Sequence, residues 1–225
     1  MKALISREAI LKIENAIQEK NQIRVVAYAG VPQTEELIRR IADMILRAKQ
    51  RADIYMPIAM ILKELMVNAV KANFKRVFFE QENLDIKNPA DYARGIARFK
   101  ETLREESIIA YGQACKQRNY SVTLDFEIRD NQLGIRIANS CPMTSTEEFR
   151  IQEKLKEALH QDDFGNFLSE AGDDTEGAGL GLLMVILALR SADINPETFT
   201  IRTEKNQCTI AHIEFPLNTT DIGNA

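Results

Sequence analysis

The sequence predicts an α+β fold, a two-layer α/β sandwich with helices on one face of a mixed, largely antiparallel sheet. Two observations carry that expectation. The extended segments fall mostly into hairpins, because runs that alternate apolar and polar residues are joined by short polar turns. The strongest helical segments are apolar over much of their circumference, so they must lie against another layer. With 225 residues, 45% of them hydrophobic and 28% charged, the chain fits one main globular domain with enough apolar surface for a substantial core.

Taken in order, Ser6 caps a helix over about residues 7–20, with Ala9, Ile10, Ile13 and Ile17 at helical spacing. Residues 23–29 are β-branched and aromatic, hence a strand, which Gly30-Val-Pro32 ends. Thr34 precedes a helix over about 35–49, with Leu37, Ile38, Ile41, Ile45 and Leu46 as its buried stripe. A core helix follows over 58–75, and residues 75–79 either continue it or begin an extended piece. Over about 89–117, Tyr92, Ile96, Phe99, Leu103, Ile108 and Tyr111 recur as a helical run that is either extra core or a homodimer face. Residues 120–128 and 134–138 alternate with period two around Asp130-Asn131, a hairpin. A helix over about 146–160 leads into a mobile cover over 161–176, then an apolar helix, and a terminal hairpin of 198–203 with 208–215. The domain reading is an N-terminal helical appendage over 1–22, a main domain over 23–217 with a helical insertion over about 80–119, and a polar tail over 218–225.

Several classes are excluded. The first residues lack the apolar centre and cleavage site of a secretory signal, and no run of about 18 apolar residues spans a membrane. Cys115, Cys141 and Cys208 are odd in number and widely spaced, which speaks for reduced thiols in the cytoplasm. Neither histidine, His160 or His212, lies near a cysteine pair, which argues against zinc. A net charge of −4 argues against general nucleic-acid binding.

Two distant stretches carry the chemistry. In the helix over 58–75, Ile58, Ile61, Leu62, Leu65 and Ala69 share one arc, and Glu64, Asn68 and Lys71 stand at i, i+4 and i+7 along a ridge beside it. Because Val67 and Val70 extend apolar character round the far side, the ridge is expected as a buried polar seam. An acid, an amide and a lysine together suit a metal ion with phosphates. Taken alone, Glu64 and Lys71 read rather as surface charges and Asn68 as an ordinary polar residue at the edge of the core. Downstream, Gly177-Ala-Gly179-Leu-Gly181 opens an apolar helix, where missing side chains and unpaired amides make a place for phosphates. Here too, Gly179 and Gly181 equally permit tight packing of that helix. No Gly-Lys-Ser/Thr follows, so this is not a Walker A loop, and position 182 is leucine, so it is not a GxGxxG fingerprint.

Together, Glu64-Leu-x-x-Asn68-Ala-x-Lys71 and Gly177-x-Gly179-Leu-Gly181-Leu resemble the N box and second glycine box of the GHKL (Bergerat-fold) ATPases, and most nearly the histidine kinases among them. The resemblance implies a histidine-kinase-like, Bergerat-type ATPase domain acting in signal transduction, with ATP and Mg²⁺ as cofactors. It implies that Asn68 coordinates Mg²⁺, that Glu64 is catalytic and polarises the attacking group or helps to organise the metal's water, and that Lys71 approaches phosphate oxygens. Gly177, Gly179 and Gly181 would wrap the β- and γ-phosphates. Where the family carries Asp-x-Gly-x-Gly, whose aspartate meets the amine of adenine, this chain has Asn139-Ser-Cys-Pro-Met143. Asn139 keeps an acceptor oxygen but brings a competing donor, and both glycines are absent. No histidine precedes residue 160, so a phosphoacceptor is expected on another chain, a protein partner such as a response-regulator-like acceptor. The rival expectation is a non-catalytic regulator on the same scaffold, similar to anti-sigma factors or pseudokinases, acting by protein–protein binding.

Overall fold

The computed structural model describes residues 6–19, 22–160 and 180–217. Among them the chain runs α1 (Arg7–Gln18), β1 (Gln22–Ala27), α2 (Pro32–Ala48), α3 (Tyr55–Gln81), α4 (Pro89–Thr102), α5 (Glu105–Gln117), β2 (Val122–Ile128), β3 (Gln132–Asn139), α6 (Ser145–His160), α7 (Leu180–Ser191), β4 (Thr200–Glu204) and β5 (Cys208–Pro216). The five strands form one sheet in the order β1-β2-β3-β5-β4. All four pairings are antiparallel, the limiting form of the largely antiparallel sheet expected.

Strand alternation assigns the two faces. Val122, Leu124, Phe126 and Ile128 on β2, Leu133, Ile135 and Ile137 on β3, and Ile213 and Phe215 on β5 are buried in one cluster with the apolar sides of α3 and α7. The opposite face carries a charged row in which Arg24, Asp125 and Arg136 stand in register across three strands. Arg24 donates from Nε to Asp125 Oδ1 at 2.6 Å and from Nη2 to Oδ2 at 3.0 Å. Arg136 adds an ion pair to the same carboxylate, so Asp125, only 1% exposed, is buried with compensation.

Several elements differ from their sequence reading for identifiable reasons. Helix α2 begins at Pro32 rather than near Glu35, because proline at the first helical position gives up only an amide with no intrahelical partner. Helix α3 continues through residues 75–79 to Gln81, since Val77, Phe78 and Phe79 keep a buried side for it. The single helical run over 89–117 is two helices. Thr102 Oγ1 donates to Phe99 O at 2.8 Å and Ser107 Oγ donates to Thr102 O at 2.6 Å, drawing away the groups that would have continued the ladder.

The α4–α5 insertion packs through aromatic side chains. Phe74 and Tyr111 stack with ring centroids 5.2 Å apart, Phe78 meets Phe99 at 5.5 Å, and Phe79 meets Tyr92 at 6.0 Å. Ile13 and Ile17 of α1 join the same cluster. No described helix is long and apolar enough to cross a membrane.

Candidate functional site

Helix α3 is apolar on the sides that meet the sheet, α2 and α7, and polar where it leaves them. Glu64, Asn68 and Lys71 follow one another along that boundary, Glu64 half-buried and the other two exposed. The buried seam expected from sequence is therefore corrected: the ridge opens to solvent beyond Glu64. The apolar residues beside it turn inward to the core, and Val67 is itself only half-buried. Asn68 donates from Nδ2 to Glu64 Oε1 at 3.0 Å, one turn away along the helix. That bond holds the amide and leaves its oxygen for another partner. Lys71 has no ion-pair partner among the described residues.

The second stretch comes to the first. Helix α7 starts at Leu180, and Gly181 in its first turn lies directly on the Glu64 side chain. A methyl group built at Gly181 would overlap Glu64 Oε1 and come within 2.8 Å of its Cδ and 3.3 Å of its Cγ. Only glycine fits that contact without displacement. The first turn of α7 has no acidic residue of its own, and Glu64 of α3 brings a carboxylate alongside it. Gly177 and Gly179, and the cover expected over 161–176, lie outside the described residues.

Asn139 ends β3 and is 3% exposed, held by its neighbours. It donates from Nδ2 to Asn73 Oδ1 at 3.3 Å and to Cys141 O at 3.0 Å. Asn73, 1% exposed, in turn donates to Ser121 O at 3.0 Å. Asn73 lies five residues beyond Asn68, about 140° round the helix axis, so α3 presents the exposed ridge on one side and an amide pair on another. Sequence reading passed over Asn73. Its signal was a polar residue one turn past Ala69 on the apolar arc.

The turn after β3 is fixed by charge. Arg76 donates from Nη1 to Glu147 Oε1 at 3.1 Å, and from Nη2 to Glu147 Oε2 at 2.6 Å and to Pro142 O at 2.7 Å. Lys75 adds an ion pair at 2.5 Å. Thr144 and Glu147 bond each other's backbone amides, a capping box that starts α6. Burial pushes the Glu147 carboxyl up, but the hydrogen bonds from Arg76 and the charges of Lys75 and Arg76 outweigh it and hold it down at about 2.

Other reactive groups are occupied. Burial pushes the thiols of Cys115 and Cys141 up to about 11 and about 12, so both stay protonated and unreactive near neutral pH. His160 Nδ1 lies 2.7 Å from Lys156 O at the end of α6, and His212 stands on β5 opposite Arg136. Among the described residues no group of three or more His, Cys, Asp or Glu side chains could hold a metal. A cation at the ridge would therefore take ligands from Asn68, Glu64 and whatever it arrives with.

No family model matches the chain. No solved structure matches it either. It is similar to a protein of Treponema pallidum (strain Nichols) described only as uncharacterized, with 30% identity over 207 residues that cover 92% of this chain and 40% of that protein. The chain thus spans about two fifths of the length of the curated relative it matches.

Proposed function

We propose that this chain binds ATP with Mg²⁺ on a histidine-kinase-like scaffold, and hydrolyses it or passes its phosphate to a protein partner in trans. The observation that supports this reading is the seating of Gly181 on Glu64, which joins two motifs more than a hundred residues apart into one surface. The donor set fits the metal. Magnesium prefers hard oxygen ligands, and Asn68 offers a carboxamide oxygen while its nitrogen is engaged by Glu64. Bound there, Mg²⁺ would neutralise phosphate charge.

The remaining work falls to the chain. Lys71, exposed one turn beyond Asn68, supplies a positive charge for phosphate oxygens. The unpaired amides at the head of α7 would meet the same oxygens beside Glu64, and Gly177 and Gly179 extend that role on the strength of the resemblance. Glu64 holds the position from which a carboxylate can accept a proton from the attacking group. Phosphoryl transfer asks mainly for such positioning and charge neutralisation. Cysteines that are all unpaired fit a cytoplasmic setting.

A non-catalytic regulator on the same scaffold is the second reading. It is favoured by the tether from Arg76 to Pro142 O, which closes down the stretch where the resembled family has glycines. In that case the α4–α5 insertion, with Ile109 67% exposed, is where a protein partner or a second copy would dock.

Titration calorimetry with ATP and Mg²⁺ tests both. Binding is expected in the wild type and weaker by on the order of tenfold or more in Asn68→Ala. Absence of heat in both proteins would sink the nucleotide reading. Binding with neither release of inorganic phosphate nor transfer of the γ-phosphoryl group of labelled ATP to a protein partner would select the regulator.

A further inference from the structure

We infer that the groove between α2 and α3 docks an amphipathic helix of a partner protein, one whose apolar seam carries a base on one flank and an acid on the other. The groove is separate from the nucleotide ridge, because neither of its walls uses Glu64, Asn68 or Lys71.

The two helices run antiparallel, since Met44 and Arg47 late in α2 lie near Tyr55, while Pro32 and Ile38 early in α2 lie near Leu62 and Met66. Each brings a row of residues to the groove. On α3, Met56, Ala59, Lys63 and Met66 recur at i, i+3, i+7 and i+10, and on α2 Pro32, Glu35 and Arg39 recur at i, i+3 and i+7. Alternating steps of three and four residues are the spacing with which one helix lies along another. Met56 is 72% exposed, more than any other large apolar side chain described. Between the rows the surface opens into a cleft of about 210 Å³ floored by Ile38, Leu62 and Met66. That is below the roughly 300 Å³ at which small-molecule sites begin, so the cleft suits one leucine or phenylalanine side chain of a partner. From Met56 to Met66 the α3 row covers about 15 Å along the helix axis, nearly three turns.

Charge fixes the flanks of that partner. Lys63 on the α3 wall and Glu35 on the α2 wall both border the cleft. Neither makes a hydrogen bond or ion pair among the described residues, whereas Arg39 is already answered by Glu36 on its own helix. The groove thus sets a cation and an anion without close partners on opposite sides of an apolar floor. A helix that brings an acid to Lys63 and a base to Glu35 satisfies both walls, and a helix of one charge is repelled by one of them.

The probes are three designed helical peptides of roughly 20 residues with the same leucine seam. One carries lysine on one flank and glutamate on the other, one carries glutamate on both, and one carries lysine on both. Each is fluorescently labelled and titrated with the full chain, and binding is read by anisotropy. The wild type is expected to prefer the mixed peptide over the other two by about tenfold. Glu35→Lys should move the preference to the all-glutamate peptide and Lys63→Glu to the all-lysine peptide. Glu153→Lys and Lys156→Glu, on the exposed side of α6, should leave the ranking as it is in the wild type. Met56→Ser should weaken the mixed peptide by about tenfold or more. A ranking that follows the α6 changes as closely as the groove changes shows attraction by net charge alone and overturns the inference. Failure of the wild type to bind any of the three overturns it as well. Self-association of the chain that Met56→Ser abolishes, without peptide binding, would give the groove to a second copy and overturn the assignment to a partner helix.

Discussion

Glu147 is a buried acid whose partners all come from outside its own helix except the Thr144 amide. Its folded carboxyl titrates near 2 against an ordinary value of 4.5, so its contribution is fully present above about 4.5 and is lost as pH falls toward 2. The displacement corresponds to on the order of 3 kcal/mol. Glu147→Gln is expected to unfold at lower urea than the wild type at pH 6, with the gap narrowing as pH is lowered from about 4.5 to about 2. Urea melts of both proteins across that window check it, and a pH-independent gap would contradict the assignment. The Thr144-x-x-Glu147 spacing of a capping box was in the sequence, but the sequence reading began this helix near residue 146 without using it. The tie of Glu147 to Arg76 was not legible, because nothing local relates positions 76 and 147. Asn73 and Asn139 teach the same lesson: each shows as a polar residue in an apolar setting, but their pairing exists only once α3 and β3 are stacked.

At the level of elements, two glycines set how closely helices approach. A methyl group at Gly95 would sit 2.9 Å or less from the Phe79 ring atoms that α4 lies upon. Gly95→Ala should therefore destabilise the protein by about 1–3 kcal/mol, and Phe79→Leu in the same chain should recover part of it, as read by chemical denaturation. Gly181→Ala should weaken ATP binding while leaving the melting temperature nearly unchanged, because the new carbon swings aside only the flexible end of Glu64. Adding Glu64→Ala should not restore binding. Apolar spacing made the helices and hairpins readable, including the β2–β3 pair and the terminal hairpin. It could not show the break at Leu103, since the apolar stripes of α4 and α5 continue each other in sequence and only the hydroxyls of Thr102 and Ser107 divide them. Nor could it show that the ridge on α3 opens to water, for that depends on how far α7 reaches along it.

On the scale of the whole molecule, α1, the insertion and the sheet share one hydrophobic cluster. The chain should accordingly unfold in a single transition. There is no tryptophan and there are five tyrosines, of which Tyr92 and Tyr111 belong to the insertion, so near-ultraviolet dichroism reports in part on its packing. Its melting curve should coincide with the far-ultraviolet curve, and an earlier loss of tyrosine signal would show the insertion coming apart on its own. The sheet also imposes an order on synthesis. Gln22 pairs with Glu127, so β1 emerges from a ribosome about a hundred residues before the strand that completes it. At roughly 5–20 residues per second that is a wait on the order of 5–20 s, during which α3 has been made but has no sheet to lie on. A nascent chain stalled before residue 122 thus displays the apolar flank of α3 bare, a surface for chaperones to hold until the first hairpin arrives.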